Sequence, residues 1–195
     1  MTSYKNMKDT FQEEYKQRSA LYKDRLSRWS EEPPIVMLEK PTNIARAREL
    51  GYKAKQGINV VRVRVSGGAS KRKTHGGGRK PSKSGMYFTR EKSAQAIAEE
   101  RAARKYSNYE ILNSYFIGRA GSVLYYEVIM LNRESPVLKS DPIYSKILDQ
   151  KGRAFRGLTS AGRRHRGIMK KSYGSIPYRP SKNALMRRKA ARKMQ

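Results

Sequence analysis

The chain has no cysteine, which removes a disulfide framework, a Cys-ligated zinc site and thiol catalysis at once and fits a reducing compartment. Histidine is nearly missing too. The two present, His75 and His165, are each surrounded by Lys or Arg, neighbours that disfavour a protonated ring and repel a metal ion. No His–carboxylate spacing suits a metal centre or a general base, so neither a metal nor any other cofactor is expected. His75-Gly76-Gly77-Gly78 has the look of a glycine-rich oxyanion loop, but no G-x-S-x-G elbow accompanies it, and the glycines form no Walker-type loop. No apolar run approaches the roughly 18 residues of a membrane span, and the start, MTSYKNMKD, lacks the apolar centre of a signal peptide. These absences predict a soluble, intracellular protein that is not an enzyme and has no small-molecule substrate.

The most informative absence is of negative charge in two places. Residues 50–90 hold 11 Lys and Arg and no acid, and residues 150–195 hold 15 and none. The other 108 residues carry 18 basic and 16 acidic side chains, so almost all of the net charge of +28 sits in the two stretches. A nearly neutral domain thus bears two cationic appendages whose self-repulsion a polyanion must relieve. If about half of these cations met phosphates, the slope of log affinity against log salt would be on the order of −9 to −12. Tyr52, Tyr87, Phe88, Phe155, Tyr173 and Tyr178 are interleaved with the charges, and rings so placed suit stacking of unpaired RNA bases. Gly152, Gly157, Gly162 and Gly167 recur every five residues among arginines, a pattern expected to let the backbone follow an irregular RNA surface. Composition alone equally permits a chromatin-type protein that compacts DNA, since phosphate is common to both polymers.

Periodicity predicts a helix over residues 3–29, with a capping box at Thr10 and Glu13 if it restarts, ended by Pro33-Pro34. A short strand follows at 35–38, then a helix at 44–50 with Gly51 as its left-handed cap. Ile58 to Val65 alternates as a half-buried strand should. A helix over 94–106, begun at Thr89 or Ser93, has small residues for close approach to a sheet and an ionic face on which Glu99 and Glu100 read as salt-bridge partners. Strands at 111–117 and 123–131 flank a glycine-bearing turn, and Asp141-Pro142 starts a last helix to Leu148. The expectation is an α+β fold: a small, mainly antiparallel sheet in the order strand-helix-strand-helix-strand-strand, with packed helices, an N-terminal helix and long basic extensions. The domain would span 1–149 with a flexible basic loop inserted at 66–88. Residues 150–195 would form a basic tail ordered on RNA, helical over 185–193 once neutralised.

Several segments are together more specific. Glu39-Lys40-Pro41-Thr42, Ala45-Arg46-Ala47-Arg48, Leu50-Gly51-Tyr52-Lys53-Ala54-Lys55-Gln56-Gly57, Ala98-Glu99-Glu100-Arg101-Ala102, Leu112-Asn113-Ser114-Tyr115, Tyr126-Glu127-Val128-Ile129, Phe155-Arg156-Gly157-Leu158-Thr159 and Ala161-Gly162-Arg163-Arg164 occur in order. This set resembles the family of large-ribosomal-subunit proteins numbered fifteen in the eukaryotic and archaeal series, in its archaeal form, over about residues 1–167. The resemblance implies a structural protein of the cytoplasmic ribosome, held among large-subunit ribosomal RNA and neighbouring ribosomal proteins and not a homo-oligomer. It implies that the loop after Gly57 and the tail after Phe155 are buried in RNA. The residues expected to touch RNA are Tyr52, Lys53, Lys55, Gln56, Arg62, Arg64, Lys71, Arg72, Lys73, His75, Arg79, Lys80 and Lys83 in the first stretch. In the second they are Arg153, Phe155, Arg156, Arg163, Arg164, His165, Arg166, Lys170 and Lys171.

Overall fold

The computed structural model describes residues 3–68, 70, 71, 85, 87, 88, 92–169, 186, 187 and 190. The expected order of elements is present. Strands β1 (Ile35–Leu38), β2 (Ile58–Ser66), β5 (Tyr109–Ala120) and β6 (Val123–Asn132) form one antiparallel sheet in the order β1-β2-β6-β5. Between β2 and β5 stand a two-residue ribbon, β3 (Ser70–Lys71) paired with β4 (Tyr87–Phe88), and helix α4 (Ala94–Lys105). Ser93, not Thr89, caps α4, its oxygen accepting from the Ala96 amide.

Helices cover both faces of the sheet. On one face Trp29 from α2 (Ala20–Glu31), Ala47 from α3 (Ile44–Glu49), Leu138 from α5 (Pro136–Lys139) and Tyr144 and Leu148 from α6 (Pro142–Leu148) pack over Ile58, Val60, Tyr125 and Ile129. On the other, Ala98 and Ala102 of α4 bring that helix against Val61, Val63, Val65, Val128 and Met130. This two-sided cover corrects the half-buried reading of β2. Its alternating residues go to two buried faces, and Val61, Val63 and Val65 are 0% exposed.

The N-terminal helix is two helices. Arg18 adopts a left-handed φ of +49° after α1 (Ser3–Gln17), and Ser19 begins α2 by accepting from the Tyr22 amide. Thr10, expected as a cap, instead donates its hydroxyl back to the Asn6 carbonyl inside α1, as mid-helix threonines do. No residue of α1 is buried; it leans on the domain through Lys8–Glu49, Arg25–Glu14 and Arg48 over the Tyr4 ring. The β5–β6 hairpin turns on Gly121-Ser122 alone, so both strands run longer than their apolar cores suggested.

Among the described residues three carboxylates lie inside this basic protein. Glu127 on β6 is 0% exposed, accepts the Thr42 amide and the Tyr115 hydroxyl, and so holds the chain entering α3. Glu110 accepts the Gly152 and Arg153 amides. Glu99 accepts the hydroxyls of Ser114 and Thr159. The expectation that Glu99 is a surface salt-bridge partner is therefore wrong: it is a buried hydrogen-bond acceptor, and only Glu100 forms an ion pair, with Lys92. Burial raises the proton affinity of both Glu99 and Glu127.

Candidate nucleic-acid interface

Residues 51–57 form a defined turn. Helix α3 ends in a Schellman motif, with the Tyr52 amide donating to the Ala47 carbonyl and the Gly51 amide to that of Arg48. Gly51 has a φ of +96°, and its carbonyl accepts from the Tyr144 hydroxyl, which fastens the turn to α6. At the other end Gly57 has a φ of +91°, and a Cβ there would lie 2.8 Å from the Ser135 side chain. The exposed residues between are Lys53, Ala54, Lys55 and Gln56, and Tyr52 is half-buried. Lys53 reaches over the Tyr144 ring, and Lys55 pairs with Asp141 at 2.8 Å. That bond holds the Asp141 carboxyl below its ordinary range.

The second stretch folds back on the domain before any tail begins. Gly152 and Arg153 hang from Glu110, while Ala154 is buried against the α4 face. Thr159 then caps α7 (Ser160–His165), accepting from the Gly162 amide at 3.1 Å. The four regularly spaced glycines serve this internal fold. Gly152, Gly157 and Gly167 have positive φ, and Gly162 lets α7 rest on residue 157, where a Cβ would come within 2.6 Å of the Gly157 Cα.

The expected RNA-contacting residues separate by exposure. Arg62 and Arg153 turn inward. Arg62 is 8% exposed, paired with Glu32, stacked 4.7 Å from the Trp29 ring centre, and directly opposite Glu127 in the β2–β6 register. Arg153 is half-buried and donates to the Ile111 carbonyl. Arg64 lies between the extremes, donating to the Ser30 carbonyl. Outward-facing residues are Lys53, Lys55, Gln56, Phe155, Arg156, Arg163, Arg164 and His165, with Arg166 half-buried over the Gly157 carbonyl. The side chains of Lys71, Arg72, Lys73, His75, Arg79, Lys80, Lys83, Lys170 and Lys171 lie outside the described residues, as does nearly all of the helix expected at 185–193.

Folding brings the two basic stretches together at the outer edge of β5. Leu50, just before the turn, and Arg164 of α7 line one cleft, along with Arg46 of α3 and Asn113 and Phe116 of β5. Sequence reasoning passed over Arg46, Asn113 and Phe116 as site residues. The one local signal is α3 itself, where Arg46 and Arg48 alternate with the buried Ala45 and Ala47. Among the described residues no group of three or more His, Cys, Asp or Glu could hold a metal ion, and no helix is long and apolar enough to cross a membrane.

Comparison with known proteins closes on the same family as the sequence motifs. The large ribosomal subunit protein eL15 of the archaeon Methanocorpusculum labreanum is 47% identical over 159 residues, covering 81% of this chain and 82% of that protein. The model of the family described as Ribosomal L15 matches residues 2–185, reaching well past residue 167, where the recognisable motifs end. With that match over nearly its whole length, the chain belongs to the L15e family of ribosomal proteins.

Proposed function

We propose that this protein is a structural component of the large ribosomal subunit that binds ribosomal RNA through charge neutralisation and recognition of shape, without catalysis. The observation that carries the reading is the distribution of charge. Glu99, Glu110 and Glu127 are withdrawn into the domain, while Arg163, Arg164 and His165 stand on α7 with no ion pair among the described residues. An outward cationic surface on a rigid mount positions a protein against phosphates but does not read base sequence. The outward set Lys53, Lys55, Gln56, Arg156, Arg163, Arg164, His165 and Arg166 supplies these contacts, with the basic residues of 71–83 and 170–171 extending them. Arg62 and Arg153 support the fold instead. The natural setting is the cytoplasmic ribosome of an archaeon, among neighbouring ribosomal proteins and without self-association.

The test is sedimentation of a cell extract through a sucrose gradient before and after a high-salt wash. The protein should stay with large subunits through the wash and leave only on RNase treatment. Migration with free protein, or with DNA, would overturn the proposal and favour nucleic-acid compaction.

A further inference from the structure

The cleft at the β5 edge has features that a general cationic surface does not need. It encloses about 250 Å³. That is below the roughly 300–1,000 Å³ of sites for drug-sized ligands. Its walls come from α3, α4, β5 and α7, and none of its lining residues is acidic. Arg164 stands at one side with no partner among the described residues. Arg46 lines it too, sharing Glu49 with Lys8, so that two cations meet one carboxylate. Those two cations hold the Glu49 carboxyl below its ordinary range.

Phe116, 39% exposed, lines the same cleft. Tyr15 meets its ring at 89° and Tyr126 at 67°, at 5.9 and 5.7 Å between centres, and no described ring stacks on it in parallel. Asn113 adds a free donor. Its Oδ1 accepts the Ser114 amide, which fixes the amide group and leaves Nδ2 without a partner among the described residues. Gln95, by contrast, is committed, donating to the Ser114 carbonyl and hydroxyl and so covering the strand edge. A partly exposed aromatic ring, one fixed amide donor and two guanidinium groups in one cleft are what an unpaired base and its phosphates require.

We propose that the α3–β5–α7 cleft receives a single unpaired nucleotide of RNA, with the base against Phe116, an acceptor on its edge at Asn113 Nδ2, and the flanking phosphates at Arg46 and Arg164. This deepens the ribosomal-RNA reading and rests on it. The cleft is too small for a duplex, which would touch only the two arginines at its rim. The lack of lining carboxylates disfavours a basic protein segment as occupant.

The experiment compares large subunits purified from cells carrying wild type, Arg164→Gln or Asn113→Asp. The Asp variant keeps the acceptor for the Ser114 amide but replaces the donor with a negative charge. Subunits are probed with a base-modifying reagent, and wild-type subunits are also UV-irradiated and the protein digested for mass spectrometry. The expected result is a mononucleotide adduct on the peptide holding Phe116, and one rRNA base that becomes severalfold more reactive in both variants when normalised to the protein present in each subunit preparation. Adducts confined to other peptides, a protein cross-link at Phe116, or unchanged base reactivity at full occupancy would overturn the cleft proposal while leaving RNA binding intact. If a variant fails to incorporate, the wild-type adduct decides. Absence of the wild-type protein from large subunits would instead overturn the ribosomal reading itself.

Discussion

Thr159 donates its hydroxyl to Glu99 at 2.5 Å, and the same oxygen accepts the Gly162 amide at 3.1 Å. One side chain therefore caps α7 and ties it to α4, sixty residues earlier in the chain. Arg163, Arg164 and His165 owe their fixed position to this link.

Thr159→Val removes both bonds while keeping the shape of the side chain, and leaves Glu99 short of a partner. The loss of a cap and of a buried donor predicts a cost of about 1–3 kcal/mol. Thr159→Ser should recover most of it. Hydrogen exchange across residues 160–165 reports directly: the Val variant should lose protection there first, and equal protection in both variants would remove the pin from this account.

Gly162→Ala tests the contact between α7 and the preceding turn. Its new Cβ meets the Gly157 Cα, backbone against backbone, with no flexible side chain to yield. Destabilisation of about 1–3 kcal/mol is expected, as for other overpacked sites. Gly121→Ala serves as the control, since a Cβ there meets nothing within 4 Å and its cost is only the positive φ. Thermal unfolding of the two variants should rank Gly162→Ala as the more damaging.

The buried carboxylates predict a pH dependence. Burial raises the Glu99 and Glu127 pKa in the folded protein above the unfolded value of about 4.3. Over the window from that value up to the folded one, the native state binds more protons than the unfolded state, so stability falls as pH rises. This contribution is complete below the unfolded value and lost above the folded one. In Glu127→Gln that part of the slope should flatten. Denaturant titrations of the two proteins across the range above pH 4.3 would show it; parallel curves would mean that Glu127 titrates normally.

Cations facing out and cations facing in should behave as two classes. Replacing Arg163 and Arg164 together by Gln should lower the salt slope of binding to a large-subunit rRNA transcript by about 1.4–1.8, with little change in stability. Arg62→Met should leave the slope intact and destabilise the domain instead, because it strands Glu32 and removes the contact with Trp29. Filter binding over a salt series separates these outcomes, and a slope change in Arg62→Met would place that residue at the interface.

The order and type of the main sheet strands and of helices α3, α4 and α6, and the family, were legible in the sequence. Each depends on near neighbours: the caps at Asn43, Ser93 and Asp141, the glycine after α3, and long runs free of acid. Which cations face outward was decided only by the tertiary structure. Arg62 and Arg163 are equivalent as letters in a basic stretch. One lies against a tryptophan ring and opposite the buried Glu127 because β2 is a central strand, and the other stands on a helix held by a glutamate far away in sequence. The start of the apparent tail was hidden for the same reason. Its anchors, Glu99 and Glu110, belong to elements already formed, and a carboxylate reads locally as solvent-facing until the fold brings hydroxyls and amides to satisfy it. The cleft between Arg46 and Arg164 likewise exists only where α3, β5 and α7 converge on one strand edge, from three places in the chain with no local pattern in common.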